Sequence, residues 1–282
     1  MKKVAYLAFA RTIGFYLNVM SFVFPKKAIL KAYTLFSIPR IGKLSKEALP
    51  KILKEAVLET LIANDQSIQT YLWKGDETII LLIHGWESNS SRWAKLIIEL
   101  KKTGHSIVAI DAPAHGLSSG KIFSVPNYAE YIKIATQKYQ PKFIIGHSMG
   151  GKACLYYQYL YQNLDIKKMI LLGTPCDFNI IIENYIKLLY LNSIVSRGLK
   201  KHYLDIFNID IEQFSGRLFA SKINIESLIF HDIEDKIVLF EEGKKLAKYL
   251  QNSTFIETKG LGHGLQNKAL YRQIKEFIVA VN

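Results

Sequence analysis

From residue 66 onward, short apolar segments alternate with amphipathic helical segments, and this alternation restricts the fold more than any other feature. "ETIILLIHGW" (77–86) and "KFIIGHS" (142–148) are apolar runs that end at a turn, which is typical of strands buried on both faces. "SSRWAKLIIELKKTG" (90–104), between them, has the periodicity of a helix. Strands that alternate with helices predict the α/β class: a mostly parallel central sheet with helices on both faces.

Residues 176–222 interrupt this alternation, because they contain helical patterns and no convincing strand. A helical insertion between two strands of an open α/β sheet is expected over the carboxyl edge of the sheet, where ligands bind. We therefore interpret 176–222 as a helical lid; a helical elaboration elsewhere is the alternative. The predicted domains are a basic, apolar helical extension (1–65), a core made of 66–175 and 223–282, and this lid.

One turn between a strand and a helix carries a candidate nucleophile. The segment "FIIGHSMGG" (143–151) places Ser148 between glycines, directly after an apolar strand and before a helix. A tight strand–turn–helix of the form Gly-x-Ser-x-Gly exposes the serine hydroxyl at the tip of the turn. The dipole of the following helix favours negative charge at the same point. Serine at this position, in place of aspartate, favours acyl-transfer chemistry.

Four motifs in sequence order resemble the α/β-hydrolase superfamily, in particular its lid-bearing serine esterase and lipase-like members. They are "LLIHGW" (81–86), "DAPAHGLSSG" (111–120), "GHSMGG" (146–151), and "HDIEDKIV" (231–238) paired with "GLGHG" (260–264). The resemblance covers roughly residues 66–282. In that family the catalytic residues follow the order Ser, Asp or Glu, His. Carried over motif by motif, the resemblance implies Ser148, Asp235 and His263.

The acid of this set has two rivals in the sequence. Asp232 precedes Asp235 by three residues, and Asp177 follows the "LLGTP" segment, after which some members of the family place their acid. His263 lies in a glycine-flanked loop after the last predicted strand, where a surface histidine is the alternative interpretation. A histidine base is needed because serine is a poor nucleophile until its proton is removed.

The resemblance also implies an oxyanion hole made of two backbone N–H groups, those of Met149 and Trp86. His84 and His147, which lie beside these positions, are predicted to be structural. His115 stands where the family often has glycine, and its role is left open.

The predicted function is a serine hydrolase that cleaves a carboxylic ester of a hydrophobic acyl group. The same catalytic set would serve a thioesterase, a carbon–carbon bond hydrolase or a peptidase, and a catalytically slow binding or receptor protein is a further alternative. No cofactor is expected, since no phosphate- or dinucleotide-binding glycine motif is present in the sequence. Two cysteines, Cys154 and Cys176, make neither a Cys-x-x-Cys metal pair nor a disulfide framework, which fits a reducing compartment. The oligomeric state is left open.

The positive charge of the chain is concentrated at its N-terminus. Residues 1–54 contain eleven basic residues and one acidic residue, so they carry +10 of the net charge of +13. Residues 4–24 are almost continuously apolar, and their few small or polar residues fall on one narrow helical stripe: Arg11, Gly14, Asn18 and Ser21. This pattern favours a helix in the interface of an anionic membrane over one packed into a groove of the core.

The expected location is therefore cytoplasmic, with peripheral attachment to the inner face of the membrane and access to lipid-like ester substrates. A lysine-rich composition with no specific partner is the simpler alternative. A nucleic-acid partner is not predicted, because the basic segment lacks base-reading motifs.

Overall fold

The computed structural model describes residues 2–63 and 65–280, with the side chains of residues 2–4 and 63 left aside. The outer ends of the predicted extension and core (Met1, Val281 and Asn282), together with Asn64, lie outside the described residues. The chain divides into two compact units. The α/β unit consists of Pro39–Cys176 and Gly216–Asn282, and the helical unit consists of Met1–Ile38 and Asp177–Ser215.

The α/β unit is built on one eight-stranded sheet with the order β1-β2-β4-β3-β5-β6-β7-β8. Strands β1 to β2 and β2 to β4 pair antiparallel, and all other neighbours are parallel. The strands are β1 (Val57–Ala63), β2 (Gln66–Trp73), β3 (Asp76–Ile83), β4 (His105–Ile110), β5 (Phe143–His147), β6 (Lys168–Leu172), β7 (Glu226–Asp232) and β8 (Ser253–Thr258). This confirms the predicted fold class, a mostly parallel sheet.

Helices connect the parallel strands, as the alternating pattern predicted. Those of the α/β unit are α3 (Lys51–Lys54), α4 (Ala94–Leu100), α5 (Val125–Tyr139), α6 (Met149–Tyr161), α9 (Gly216–Ala220), α10 (Phe240–Tyr249) and α11 (Lys268–Val279). Short 3₁₀ turns lie at Ser90–Trp93, Lys101–Thr103 and Gly262–Gly264. Strand β6 is buried throughout, β5 is buried after its first residue, and β3 is buried in its second half, which agrees with the apolar sequence of these stretches.

The predicted secondary structure is wrong in the segment from Ser45 to Ala63. Its lysines, leucines and alanines indicate helix, yet only α3 is helical and residues 57–63 form strand β1. The strand pairs with β2 along its whole length, from Val57 opposite Leu72 to Ala63 opposite Gln66. Pairing β1 with β2 gives hydrogen-bond partners to the backbone N–H and C=O groups of both strands. This gain outweighs a weak local preference for helix.

The helical unit contains α1 (Lys2–Val23), α2 (Pro25–Ser37), α7 (Asn179–Leu189) and α8 (Ser193–Phe207). Its core is a cluster of buried side chains: Leu17, Ala28, Ala32, Leu189 and Val195. The N-terminal helices therefore form one unit with the helices of the insertion. The boundaries differ from those of the three predicted domains, because residues 39–65 belong to the α/β unit and the inserted part of the helical unit ends at Ser215.

Candidate active site

The nucleophile candidate lies at a sharp turn between β5 and α6. Ser148 adopts φ +53° and ψ −122°, a left-handed conformation that is uncommon for residues other than glycine. The turn is tight enough that a Cβ on Gly146 would lie 2.5 Å from the Cα of Gly151. The Ser148 N–H donates to the carbonyl of Leu172 at 2.8 Å, which fixes the turn to the neighbouring strand. A strained backbone of this kind, held by its surroundings, is a feature of functional sites.

His263 lies between this serine and a carboxylate. Its Nε2 is 3.0 Å from Ser148 Oγ, and its Nδ1 is 2.7 Å from Asp235 Oδ2. A carboxylate accepts hydrogen bonds only, so the ring proton is on Nδ1 and the lone pair of Nε2 faces the hydroxyl. The three residues named from the motif order thus form one hydrogen-bonded chain, with a serine proton directed at a basic nitrogen.

Asp235 is a buried residue in the mostly exposed loop between β7 and α10. Its Oδ1 accepts from the backbone N–H groups of Ile237 at 2.8 Å and Val238 at 3.0 Å, while Oδ2 faces His263. Burial by itself would raise the pKa of Asp235, but the bond to His263 and these N–H groups outweigh it and hold the pKa below its ordinary value. The carboxylate is therefore charged and can stabilise a positive charge on the imidazole.

The two rival acids occupy other places. Asp232 accepts from Thr258 Oγ1 at 2.8 Å and from Leu261 N–H at 2.9 Å through Oδ2, and so joins the end of β7 to the loop before His263. Asp177 belongs to the helical unit, where its backbone forms an isolated bridge with Ser215. Of the three candidates, Asp235 is the one hydrogen-bonded to His263.

Two side chains donate hydrogen bonds to backbone carbonyls of the His263 loop. His147 Nε2 donates to the carbonyl of His263 itself at 2.8 Å, and the two rings lie 4.9 Å apart. Arg92 donates to the carbonyl of Gly264 at 3.2 Å. Burial and the nearby Arg92 lower the pKa of His147 well below its ordinary value, so the His147 ring is neutral. His147 is a positioning residue in this geometry. The sequence predicted a structural role for His147 but did not say which residues it contacts.

The loop that carries Trp86 passes directly beside the nucleophile. A Cβ placed on Gly85 would lie 3.0 Å from Ser148 Cβ and 3.0 Å from the carbonyl oxygen of His147. His84 fixes the start of this loop, since its Nε2 accepts from Ala112 N–H at 2.9 Å. Met149 is the first residue of α6, and its N–H is one of the helical N–H groups without an intrahelical acceptor.

His115, the departure from the family pattern, supports the same loop from its other side. Its Nε2 accepts from the N–H of Glu87, the residue after Trp86, at 2.9 Å, and its Nδ1 donates to Pro113 at 2.8 Å. Its ring packs against the Trp86 indole with the centroids 5.4 Å apart. Burial lowers the pKa of His115 to about 4, so it accepts this bond as a neutral ring.

Gly173, directly after β6, is a further site residue that the sequence did not single out. It adopts φ +55°, and a Cβ there would lie 3.4 Å from His263 Nδ1 and 3.6 Å from Asp235 Oδ2. Gly173 lies at the carboxyl end of a parallel strand next to β5, the strand that precedes Ser148. This position is the signal by which the sequence could have identified it. Arg92 offered no such signal, since it precedes α4 in sequence and reaches the site through the fold.

The described residues contain no group of three or more His, Cys, Asp or Glu side chains that could hold a metal ion. The geometry brings together at the site the hydrogen-bonded chain Ser148–His263–Asp235 and the backbone N–H groups beside it.

Comparison with known sequences finds related proteins for part of the chain. Residues 78–199 match the family model for the alpha/beta hydrolase fold. Phospholipase YtpA of Bacillus subtilis is 30% identical over 115 residues, which cover 38% of this chain and 44% of YtpA. A serine hydrolase-like protein of Danio rerio is 36% identical over 101 residues, covering 34% of this chain and 30% of that protein. YisY of B. subtilis, an AB hydrolase superfamily protein, is 22% identical over 226 residues, covering 66% and 84%. The chain thus spans less than half of YtpA and of the D. rerio protein.

Solved structures show the same architecture. Est1E of Butyrivibrio proteoclasticus, solved with ferulic acid, superposes with a TM-score of 0.62 at 17% identity, covering 78% of this chain and 98% of Est1E. The thioesterase domain of the curacin biosynthetic pathway gives a TM-score of 0.59 at 18% identity, covering 80% and 99%. Residues 78–199 are thus similar in sequence to the α/β-hydrolase family, and the chain has the fold of these solved structures.

Proposed function

We propose that the protein is a serine hydrolase that cleaves a carboxylic ester of a hydrophobic acyl group through Ser148, His263 and Asp235. The observation that carries this proposal is the position of the His263 ring, 3.0 Å from the serine hydroxyl and 2.7 Å from the carboxylate. These distances are those of a nucleophile, its general base and the group that orients the base.

In the acylation half, His263 Nε2 takes the proton of Ser148 as Oγ attacks the carbonyl carbon of the ester. The carbonyl oxygen becomes negative, and the backbone N–H groups of Met149 and Trp86 are the proposed donors that stabilise it. Asp235 stabilises the imidazolium that forms. His263 then protonates the leaving alcohol oxygen as the carbon–oxygen bond breaks, which leaves an acyl group on Ser148.

In the deacylation half, water takes the place of the alcohol. His263 removes a proton from the water as its oxygen attacks the acyl carbon, and returns that proton to Ser148 Oγ when the acyl bond breaks. The products are a carboxylic acid and the free enzyme. No cofactor is needed to balance either half.

A hydrophobic acyl group is proposed because of the character of the inserted segment. Residues 177–215 are rich in isoleucine, leucine, tyrosine and phenylalanine, and we propose that they act as a lid over the site. One relative, YtpA, is named a phospholipase, and the solved Est1E holds an aromatic acid, ferulic acid. These names support an ester or lipid-like substrate. The same acyl chemistry would also accept a thioester.

Labelling with a fluorophosphonate probe tests the nucleophile. Wild-type protein should be labelled covalently, and Ser148→Ala should lose both the label and ester turnover, since such substitutions cost on the order of 10⁶-fold in related triads. Ser221→Ala, which removes an exposed serine of the α/β unit, is the matched control and should keep both. Turnover by Ser148→Ala at the wild-type rate would overturn the proposed nucleophile.

A substrate panel tests the bond and the acyl group. p-Nitrophenyl esters of graded chain length should give kcat/KM values that rise from the acetyl ester to longer acyl chains. A panel of acyl thioesters with the same chains, and a peptide amide series, runs in parallel. A higher kcat/KM on thioesters or amides than on every ester would replace the ester assignment while leaving Ser148 as the nucleophile. Labelling without turnover of any panel member would favour a binding or receptor protein.

A further inference from the structure

Helix α1 packs in the helical unit through a face that combines small, polar and apolar residues. The buried positions recur every three or four residues at Ala10, Gly14, Leu17 and Ser21. Gly14 lies so close to α7 that a Cβ there would be 1.6 Å from the carbonyl oxygen of Leu189. The Asn18 amide donates to the carbonyl of Tyr190 at 2.8 Å.

The opposite face of α1 is apolar and exposed to solvent. Phe9, Phe15 and Phe22 expose 66%, 70% and 73% of their surface, and Val19 and Val23 expose 51% and 69%. A surface helix of a soluble protein normally exposes a polar face, whereas α1 is apolar both on its buried side, at Ala10 and Leu17, and on its exposed side. A contiguous apolar face of this size on a monomer marks an interaction surface. We call it the α1 apolar face; it consists of Phe9, Phe15, Val19, Phe22 and Val23.

Cations border the α1 apolar face on both sides. The Arg11 guanidinium lies 4.7 Å from the ring centre of Tyr190, and the Lys31 Nζ lies 4.9 Å from that of Tyr16. Lys27 extends over Phe24 in the same way, at 5.2 Å. Residues 1–38 contain six basic residues and no acidic residue. Long basic side chains beside an apolar surface can bury their stems in lipid and hold their charges at the level of phosphates.

We propose that the α1 apolar face docks on the surface of an anionic phospholipid membrane, with α1 lying in the plane of the interface. Charge complementarity selects this occupant, because the basic residues of 1–38, with no acidic residue among them, fit phosphate headgroups. This proposal does not depend on the chemistry at Ser148.

A transmembrane orientation fits the contacts less well. By length and composition alone, the segment Ala5–Val23 could cross a membrane, with 19 residues and a mean hydropathy of 1.2. However, one side of α1 packs on α7, which carries the charged residues Glu183 and Lys187. A span would draw these charges toward the hydrocarbon core at a cost of several kcal/mol. A helix in the interface keeps α7 on the aqueous side.

The chain connects the helical unit, which contains α1, directly to the candidate active site. The inserted helices α7 and α8 share one compact unit with α1, and the insertion begins at Asp177, four residues after Gly173 beside His263. Membrane docking of α1 would therefore hold the helical unit at the membrane, and the segment from Gly173 to Asp177 joins that unit to the strand end beside His263.

Co-sedimentation of the full-length protein with vesicles tests the docking surface. The probes are vesicles of pure phosphatidylcholine and vesicles in which a third of the lipid is phosphatidylserine, both at low salt. Full-length protein should sediment with the anionic vesicles, and Phe15→Ser combined with Phe22→Ser should reduce the bound fraction at least tenfold. The matched control combines Ile98→Ser with Leu164→Ser, two residues of the α/β unit that expose 62% and 81% of their surface.

A second pair of variants separates charge from apolar contact. Lys27→Glu combined with Lys31→Glu should also weaken binding to anionic vesicles, whereas Lys95→Glu with Lys248→Glu should leave it within twofold. Circular dichroism and the melting temperature establish that each variant is folded.

Three outcomes would overturn the proposal. They are failure of the folded wild-type protein to bind anionic vesicles, equal loss of binding in the Ile98 and Leu164 control, and a concentration-dependent dimer that the Phe15 and Phe22 changes abolish. The last, seen by sedimentation equilibrium, would assign the α1 apolar face to a second copy of the chain.

Discussion

At the scale of single residues, Asp235 gives a sharp test because its role depends on which ring nitrogen of His263 carries the proton. Asp235→Asn replaces an acceptor with an amide that can donate to Nδ1 and so stabilise the tautomer with its proton on Nε2. That tautomer cannot accept the proton of Ser148. We expect kcat for a p-nitrophenyl ester to fall by about 10⁴-fold, with the melting temperature changed little.

The rival carboxylates provide the controls for that measurement. Asp232→Asn should lower the melting temperature, because Asp232 joins β7 to the loop before His263, while kcat stays within about tenfold of wild type. Asp177→Asn should leave both quantities close to wild type. A loss of 10³-fold or more in Asp177→Asn would show that the acid has been assigned to the wrong loop.

His147 acts on the site through the backbone of its partner histidine. Its Nε2 donates to the carbonyl of His263, and its Nδ1 is buried with no hydrogen-bond partner among the described residues. A buried polar atom without a partner is costly, so its retention suggests a function beyond packing. The function we assign to His147 is to fix the position of the His263 loop relative to Ser148.

His147→Phe keeps a flat ring but removes the donor, so the His263 loop should lose its precise placement. We expect kcat to fall by roughly 10- to 100-fold with little change in KM, since a misplacement of about 1 Å can have an effect of this size. His147→Gln retains an amide donor and should recover part of kcat. Steady-state kinetics on one ester give both quantities; a purely structural role would lower the melting temperature of both variants and leave kcat alone.

The sequence predicted the three residues that the structure joins by hydrogen bonds, because motif order and strand ends define where such side chains meet. Their catalytic role stays a prediction. What the sequence could not supply is the support of the two loops. His147, Arg92 and His115 act through backbone carbonyls and N–H groups of distant segments, and such contacts leave no spacing pattern in the chain.

At the scale of elements, strands buried on both faces were the most predictable. The strands β3, β5 and β6 each read as a short apolar run with a turn after it, and each is a parallel strand within the sheet. An apolar run in the sequence depends only on the burial of the strand, so it can be recognised without knowing which elements lie beside the strand. This is why the fold class followed from the sequence.

Strand β1 shows where local preference fails. Its residues favour helix weakly, but the antiparallel register with β2 is complete, and Glu59 and its neighbours join the sheet edge to α5 through the Tyr139 hydroxyl at 2.8 Å. The deciding interactions are the hairpin pairing with β2 and the contact of Glu59 with Tyr139, which lies 80 residues away in sequence. Edge strands of this type have to be recognised from their partner strand.

Helix α1 shows the opposite case, in which the periodic pattern was clear and its orientation was not. The narrow stripe of small and polar residues predicted from the sequence is, in the structure, the side that packs in the helical unit. Hydrophobicity alone gives the faces of a helix but does not say which one meets protein. Small residues at the contact, which allow close approach of backbones, were the physical signal.

At the scale of the whole molecule, the α/β unit buries an unusual set of neutral histidines. Burial lowers the pKa of His84 to about 3 and that of His115 to about 4, and it lowers the pKa of His147 well below its ordinary value. The charged groups around these rings are Asp111, Arg92 and Lys43, of which Asp111 raises the pKa of His115 and the two cations oppose protonation. In the unfolded chain the same histidines titrate at about 6.5.

This difference gives stability a definite dependence on pH. A group whose pKa is lower in the folded protein contributes stability that is present above its unfolded pKa and is lost as pH falls toward its folded pKa. The window for these histidines therefore opens near pH 6.5 and runs down to about pH 4 for His115 and to about pH 3 for His84. The pKa of Asp235 is lowered from an ordinary value of 3.8, so its own contribution is lost only at lower pH.

The free energy of unfolding should accordingly fall between pH 7.5 and pH 5.5. His84 and His115, whose pKa values in the folded protein are about 3 and about 4, each contribute about 1.4 kcal/mol over that interval and together about 3 kcal/mol, a substantial share of the ~5–15 kcal/mol that stabilises a typical domain. Burial also lowers the pKa of His147 and of His231, and both act in the same direction. Urea unfolding at the two pH values measures the difference. His115→Gln, which removes one titrating ring, should reduce the difference by about 1.4 kcal/mol once its own loss of stability is subtracted at pH 7.5. Equal free energies of unfolding at pH 7.5 and 5.5 would contradict the prediction, because they would require these rings to take up protons without leaving their buried positions.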